Sequence, residues 1–241
     1  SGLLAVYLTV GLGSVGIADD YLKIFKQRST GVRARTKLIG QAFVALSFGW
    51  LALHFPDSEG LTPASHAISF LRNTSIVLPT ALVMVWIWFL VTATTNAVNL
   101  TDGLDGLAAG AAVMALGAYT LLALWQYRQN CEFFESTRCY DVRDPLDLAM
   151  FAAAIAGATF GFLWWNTAPA SIFMGDTGSL SLGGAIAALA ILTRTELLLP
   201  LLAGLFLIVT LSVIGQVGSY KLTGRRMFRM APLHHHFEML G

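Results

Sequence analysis

IVLPTALVMVWIWFLVTATTNAVNLTDGLDG, residues 76–106, is an apolar run that passes directly into a dense polar string. Residues 76–95 carry no charge, and about 20 mainly apolar residues are what an α-helix needs to cross bilayer hydrocarbon. Beyond them Asn96, Asn99, Asp102 and Asp105 recur at every third position. On a helix that spacing draws a drifting stripe along one side, whereas the Asp102-Gly103 and Asp105-Gly106 pairs favour a turn. Either geometry gathers amides and carboxylates at the end of a spanning run. The pattern repeats elsewhere: Asp19 and Asp20, Asn166 to Asp176, and His234 to His236 all lie at the ends of apolar runs. Counting the runs places all four groups on one side of a membrane, so residues far apart in sequence share one surface.

Seven stretches are long and apolar enough to span, at about 1–18, 38–55, 76–95, 104–125, 148–165, 177–193 and 197–219. Hydrophobic residues make up 56% of the chain and charged residues 12%, with a mean hydropathy of +0.66. The charged share is about half that of an ordinary soluble domain. Backbone polar groups in lipid must be satisfied inside helices or a closed barrel, and strand alternation is not evident. The expected fold is therefore all-α, a polytopic integral membrane helical bundle. Without an internal repeat or low-complexity linker, residues 1–241 read as a single domain.

Basic residues set the orientation. The segments on the Asp19 side hold Lys23, Lys26, Arg28, Arg33, Arg35, Lys37, Lys221, Arg225, Arg226 and Arg229, while the other side holds Arg72, Arg128, Arg138, Arg143 and Arg194. That bias makes the polar side cytoplasmic under the positive-inside rule. Cys131 and Cys139 fall in the opposite loop, where an oxidising compartment permits a disulfide. The basic clusters lack the aromatic or groove-reading context of a nucleic-acid binder, so no nucleic-acid partner is expected.

The polar groups have chemistry in common. Asp19 and Asp20 point about 100° apart if helical, which suits separate roles, although an adjacent acidic pair also simply marks a water interface. Two carboxylates and two asparagines between 96 and 105 exceed what a helix cap requires. Asp176, flanked by Gly175 and Gly178 and by hydroxyls, is an oxygen-donor setting that suits Mg²⁺, and it also fits a cap for the helix that follows. His234, His235 and His236, near Arg225, Arg226 and Arg229, form a cationic wall for an anionic substrate.

The strings Asn-Ala-Val-Asn-Leu-Thr-Asp-Gly-Leu-Asp-Gly (96–106), Phe-Met-Gly-Asp-Thr-Gly-Ser-Leu (173–180) and Met-Ala-Pro-Leu-His-His-His-Phe-Glu (230–238), with Asp-Asp-Tyr (19–21), closely resemble those of the bacterial phospho-N-acetylmuramoyl-pentapeptide transferases, in the polyprenyl-phosphate sugar-1-phosphate transferase superfamily. The resemblance covers nearly the whole chain, in the family's order. It implies a ten-helix family fold of which this chain supplies the third to ninth helices, and a multi-pass protein of the bacterial inner (plasma) membrane with its site on the cytoplasmic face. It also implies transfer of phospho-MurNAc-pentapeptide from its UDP carrier to undecaprenyl phosphate, giving lipid I and UMP, with Mg²⁺ as cofactor. By motif, Asp19, Asp20, Asp176 and His235 form the catalytic group, with Asp176 the metal ligand. Lys23, Lys37, Asn96, Asn99, Asp102, Asp105, Asn166, Phe173, Gln216, His234 and His236 shape substrate binding. The family's Thr-Pro-Thr-Met-Gly-Gly loop and its last helix are missing here, so part of the uridine pocket is expected to be absent. The bilayer and both substrates are the expected partners, with a homodimer left open.

Two other functions compete. A sister transferase acting on UDP-N-acetylglucosamine shares the acidic motifs, but the Ala-Pro-Leu-His-His-His string favours the muramoyl-pentapeptide branch. A membrane transporter places its ionisable groups near the midplane, whereas here they stand at helix ends.

Overall fold

The computed structural model describes residues 1–25, 31–57, 60–131 and 139–240. Among these residues seven long helices cross back and forth: α1 (Gly2–Phe25), α2 (Ala34–His54), α3 (Thr80–Thr101), α4 (Leu107–Arg128), α5 (Pro145–Asn166), α6 (Gly175–Leu192) and α8 (Gly204–Thr223), with two short ones, α7 (Leu199–Leu202) and α9 (Leu233–Glu238). All seven have the length and hydropathy of membrane spans. The chain is an integral membrane protein, and its many exposed apolar side chains, such as Phe43, Trp88, Met114 and Trp164, suit lipid as solvent.

The helices overrun the apolar stretches that signal them. At 24 residues and 1.5 Å per residue, α1 is about 36 Å long, longer than the roughly 30 Å hydrocarbon layer. Asp19 and Asp20 therefore lie inside α1 rather than closing it, and Asn96 and Asn99 lie inside α3. Both geometries anticipated for 96–106 occur in sequence: helix to Thr101, then a turn ending at Gly106 in the left-handed region.

At the centre is α6, whose residues from Leu182 to Leu192 are all buried. A helix apolar all round belongs inside a bundle. Since lipid tails are as apolar as leucine, association in a membrane relies on close packing between small residues. A Cβ on Gly183 would fall 2.5 Å from Thr95 Cα of α3, and one on Gly16 of α1 would overlap the Asp176 carbonyl. These contacts pull α1 and α3 onto either side of α6, which brings their polar ends together.

Beside the helices expected of an all-α bundle there is a small hairpin: β1 (Ala67–Ser69) and β2 (Asn73–Val77) pair antiparallel, with Ala67 opposite Val77 and Ser69 opposite Asn73. This hairpin lies at the end of the bundle away from Asp176. Non-local bonds hold it, with the Ser69 amide donating to Glu196 Oε2 at 3.1 Å and the Leu197 amide to the Ser69 carbonyl at 2.9 Å. At the same end Cys131 and Cys139 form a disulfide, their Cα atoms 4.8 Å apart.

Candidate active site at one end of the bundle

Asp176 opens α6, one residue after Gly175, whose φ of 64° is cheap only for glycine. Its Oδ2 accepts from Lys23 of α1 and from Lys37 of α2, each at 2.8 Å, and its Oδ1 from Asn99 of α3 at 2.6 Å. Three helices thus converge on one carboxylate. Lys23 also lies 2.5 Å from Asp19 Oδ2, while Asp19 Oδ1 accepts the Val32 amide at 2.7 Å. Asp20 faces another way, toward the first turn of α6, and receives the Asp176 amide at 3.2 Å and the Thr177 amide at 2.8 Å. The angular separation expected of adjacent carboxylates is realised as a division of partners.

Asp19, Asp20 and Asp176 each present an oxygen within 4.8 Å of the others. Asp102, one residue past the end of α3, reports the resulting field: burial first, then the negative charges of Asp176 and Asp20, push its carboxyl up to about 6. Negative charge there exceeds what Lys23 and Lys37 neutralise, which is the condition for binding a further cation. An all-oxygen donor set selects a hard one.

The remaining expected residues divide into two groups. His234 and His235 lie against Asp102-Gly103, where a Cβ on Gly103 would stand 2.7 Å from His234 Nε2 and 3.2 Å from His235 Nε2. His234 is buried with neither ring nitrogen bonded, and its pKa is lowered by burial and then by His235. His235 Nδ1 lies 2.9 Å from Glu238 Oε2. His236 turns away to accept the Arg229 amide at 3.1 Å. Arg225 and Arg226 are exposed, and Lys26 and Arg28 lie outside the described residues.

The second group ties loops together. Asn166 Oδ1 accepts the Gly106 amide at 3.1 Å, and its Nδ2 donates to the Ile172 carbonyl at 2.9 Å. Asp105 Oδ2 accepts the Ala170 amide at 3.0 Å. Together they bind the α3–α4 turn to the α5–α6 loop, beside Asp176. Gln216 of α8 satisfies both backbone groups of Phe228, at 2.8 and 3.0 Å, which fixes the segment leading to the histidines. Phe173 is 75% exposed.

Three further contributors join the site: the hydroxyls of Thr177 and Ser179, which the sequence offers only as part of the donor setting of Asp176, and Gln41, which it does not single out. Thr177 Oγ1 donates to Asp20 Oδ2 at 2.6 Å, and buried Ser179 accepts from Asn99 Nδ2 at 2.9 Å. Gln41, fully buried in α2, accepts from Asn96 Nδ2 at 3.0 Å. Its signal was available, since Gln41 stands one helical turn after Lys37 in an otherwise apolar run.

The model of glycosyl transferase family 4 matches residues 3–194. A phospho-N-acetylmuramoyl-pentapeptide-transferase of Streptomyces griseus subsp. griseus is 57% identical over the whole chain, which covers 69% of that relative's length. The chain belongs to the phospho-N-acetylmuramoyl-pentapeptide transferase family. Relatives with the same name from Nocardioides sp. and Cutibacterium acnes are 58% and 56% identical, again over the whole chain and 70% and 69% of their own lengths. Membership makes the chain a transferase.

Proposed function

We propose that the protein transfers phospho-MurNAc-pentapeptide from UDP-MurNAc-pentapeptide to undecaprenyl phosphate, releasing UMP and forming lipid I for peptidoglycan synthesis. The observation that carries this reading is the convergence of Asp19, Asp20, Asp176, Lys23 and Lys37 at one end of a membrane bundle. Relatives above 50% identity, named for this transfer, support the substrates. Residues 1–241 act as one domain in the plasma membrane, with the acidic end, the richer in lysine and arginine, cytoplasmic.

The residues present fit Mg²⁺. Asp176 and Asp19, the carboxylates that share the Lys23 ammonium, would hold it. When bound, it supplies charge neutralisation at the pyrophosphate. The chain's own groups do the rest. A phosphomonoester has a second pKa of about 6, so the lipid phosphate reaches the site largely as a dianion and needs no strong base. An oxygen of that phosphate attacks the β-phosphorus, and the bond from this phosphorus to the bridging oxygen breaks as UMP leaves. Lys23 and Lys37 offset the charge that develops, Asp19 orients the incoming phosphate through Lys23, and His234 and His235 with exposed Phe173 line the side where the nucleotide is received. Positioning and electrostatics dominate in phosphoryl transfer generally.

UMP release should be assayed in the presence of undecaprenyl phosphate, with UDP-MurNAc-pentapeptide and UDP-N-acetylglucosamine offered separately. Turnover confined to the first supports the proposal. Turnover confined to the second would replace it with the sister activity.

A further inference from the structure

Asp20 is occupied in a way that Asp19 is not. Both its oxygens are taken by donors of one short segment: Oδ1 by the Asp176 amide at 3.2 Å, Oδ2 by the Thr177 amide at 2.8 Å and the Thr177 hydroxyl at 2.6 Å. Residue 174, which precedes α6, gives that helix no side-chain cap. The first amides of a helix lack intrahelical partners, and here a carboxylate from another helix satisfies them, next to the positive end of the α6 dipole. Two further features hold the same contact. A Cβ on Gly175 would stand 2.9 Å from Asp20 Oδ2, and one on Gly16, a turn before Asp20, would overlap the Asp176 backbone. Both positions keep α1 against the α6 N-terminus at backbone distance.

Asp19 has other partners: its Oδ1 accepts the Val32 amide at 2.7 Å and its Oδ2 faces the Lys23 ammonium at 2.5 Å, an ammonium that stands 4.0 Å from Asp20 Oδ1. Asp20 is tied to the first turn of α6, whereas Asp19 is shared between a backbone amide before α2 and a side-chain ammonium.

We propose that Thr177 is a positioning residue: with its amide and hydroxyl it fixes Asp20 as a cross-helix cap of α6, and this clamp holds Asp176 in register with Asp19. Asp20 on this account is a strut and neither takes a proton from the lipid phosphate nor attacks phosphorus. The inference rests on the transferase reading above and assigns a role within the same site. Loss of the hydroxyl leaves the side chains that touch substrate in place but lets the Asp176 carboxylate wander, and misplacement of about 1 Å costs a reaction roughly 100-fold.

Thr177→Val keeps the shape and removes the donor, and Thr177→Ser keeps the donor and removes the methyl. Each is purified in detergent and measured in two ways: kcat and KM for UMP release from UDP-MurNAc-pentapeptide, and the Mg²⁺ concentration that half-saturates the rise in melting temperature without substrates. For Thr177→Val we expect kcat to fall about 10- to 100-fold at unchanged KM, with half-saturating Mg²⁺ raised several-fold. Thr177→Ser should restore both to within about 3-fold. Wild-type kcat and Mg²⁺ response in Thr177→Val, even with a lowered melting temperature, would show a stabilising cap without a positioning role and overturn the proposal. Equal loss in Thr177→Ser would also overturn it. Should the valine variant not fold, Thr177→Ala is read by the same criteria. If wild-type protein turns over no UDP-sugar, the transferase reading fails, and the Mg²⁺ titration alone then decides the clamp.

Discussion

Lys37 donates to Asp176 from a side chain that is 16% exposed, on a helix that contributes no carboxylate to the corner. Removing one partner of a largely desolvated pair leaves the other charge poorly compensated. Lys23 contacts the same oxygen and remains, so the loss is partial. Lys37→Gln is expected to lower kcat/KM for UMP release by roughly 10- to 100-fold, since neutralising phosphate charge accounts for much of the rate enhancement in such reactions. Unchanged kcat/KM would remove Lys37 from the site. At this scale the residue types were legible in the sequence but not their partners. That Asp176, Asn99 and Asp102 belong together could be inferred from their motifs. That Gln216 pairs with the Phe228 backbone, or that Thr177 caps through Asp20, depends on packing between helices, which leaves no mark on local spacing.

The seam between α1 and α6 turns sequence into site geometry. Gly16 has no space for a side chain against α6 backbone, whereas Gly117 of α4 and Gly157 of α5 have nothing within 4 Å of a Cβ position. Gly16→Ala should therefore destabilise by about 1–3 kcal/mol, as overpacking does. It should lower turnover as well, because the shift occurs beside Asp176. Gly117→Ala should be neutral or stabilising by up to about 1 kcal/mol. Melting temperature and UMP release in detergent check both, and equal behaviour of the two variants would contradict the seam. All seven spanning helices were legible because hydropathy over 18 or more residues is a strong signal. Their ends were not, because α1 and α3 run on past the hydrocarbon as polar helix. The hairpin at 67–77 escaped notice for a related reason: its strands are three and five residues long, and bonds to Ser69 from the segment 196–197 hold it.

Across the whole molecule the two ends are built differently. The end away from Asp176 holds a buried polar layer in which Arg194 donates to the carbonyls of Asp141 and Thr62, and Glu196, 4% exposed, accepts from Ser69. Burial pushes the Glu196 carboxyl up to about 7. A carboxyl whose folded pKa exceeds its ordinary value favours the fold while protonated, so this contribution is complete below about 4.5 and is lost as pH rises through 7. Melting temperature should thus fall between pH 5 and pH 8, and Glu196→Gln should flatten that slope by an amount on the order of 3 kcal/mol at most. An equal slope in both proteins would contradict the assignment. The disulfide lies at this same end, so replacing Cys131 and Cys139 together by serine should leave UMP release intact while costing roughly 2–3 kcal/mol of stability. Loss of activity at unchanged stability would mean that the two ends are coupled.

That the acidic corner is the transfer site is tested most directly by Asp176→Asn, which keeps the side chain's shape and removes its charge. UMP release from UDP-MurNAc-pentapeptide is measured over a range of Mg²⁺ concentrations, alongside the melting temperature at each. The account predicts a folded protein whose turnover is abolished at every concentration and whose melting temperature no longer rises with Mg²⁺. Near-normal turnover at ordinary Mg²⁺ would contradict it.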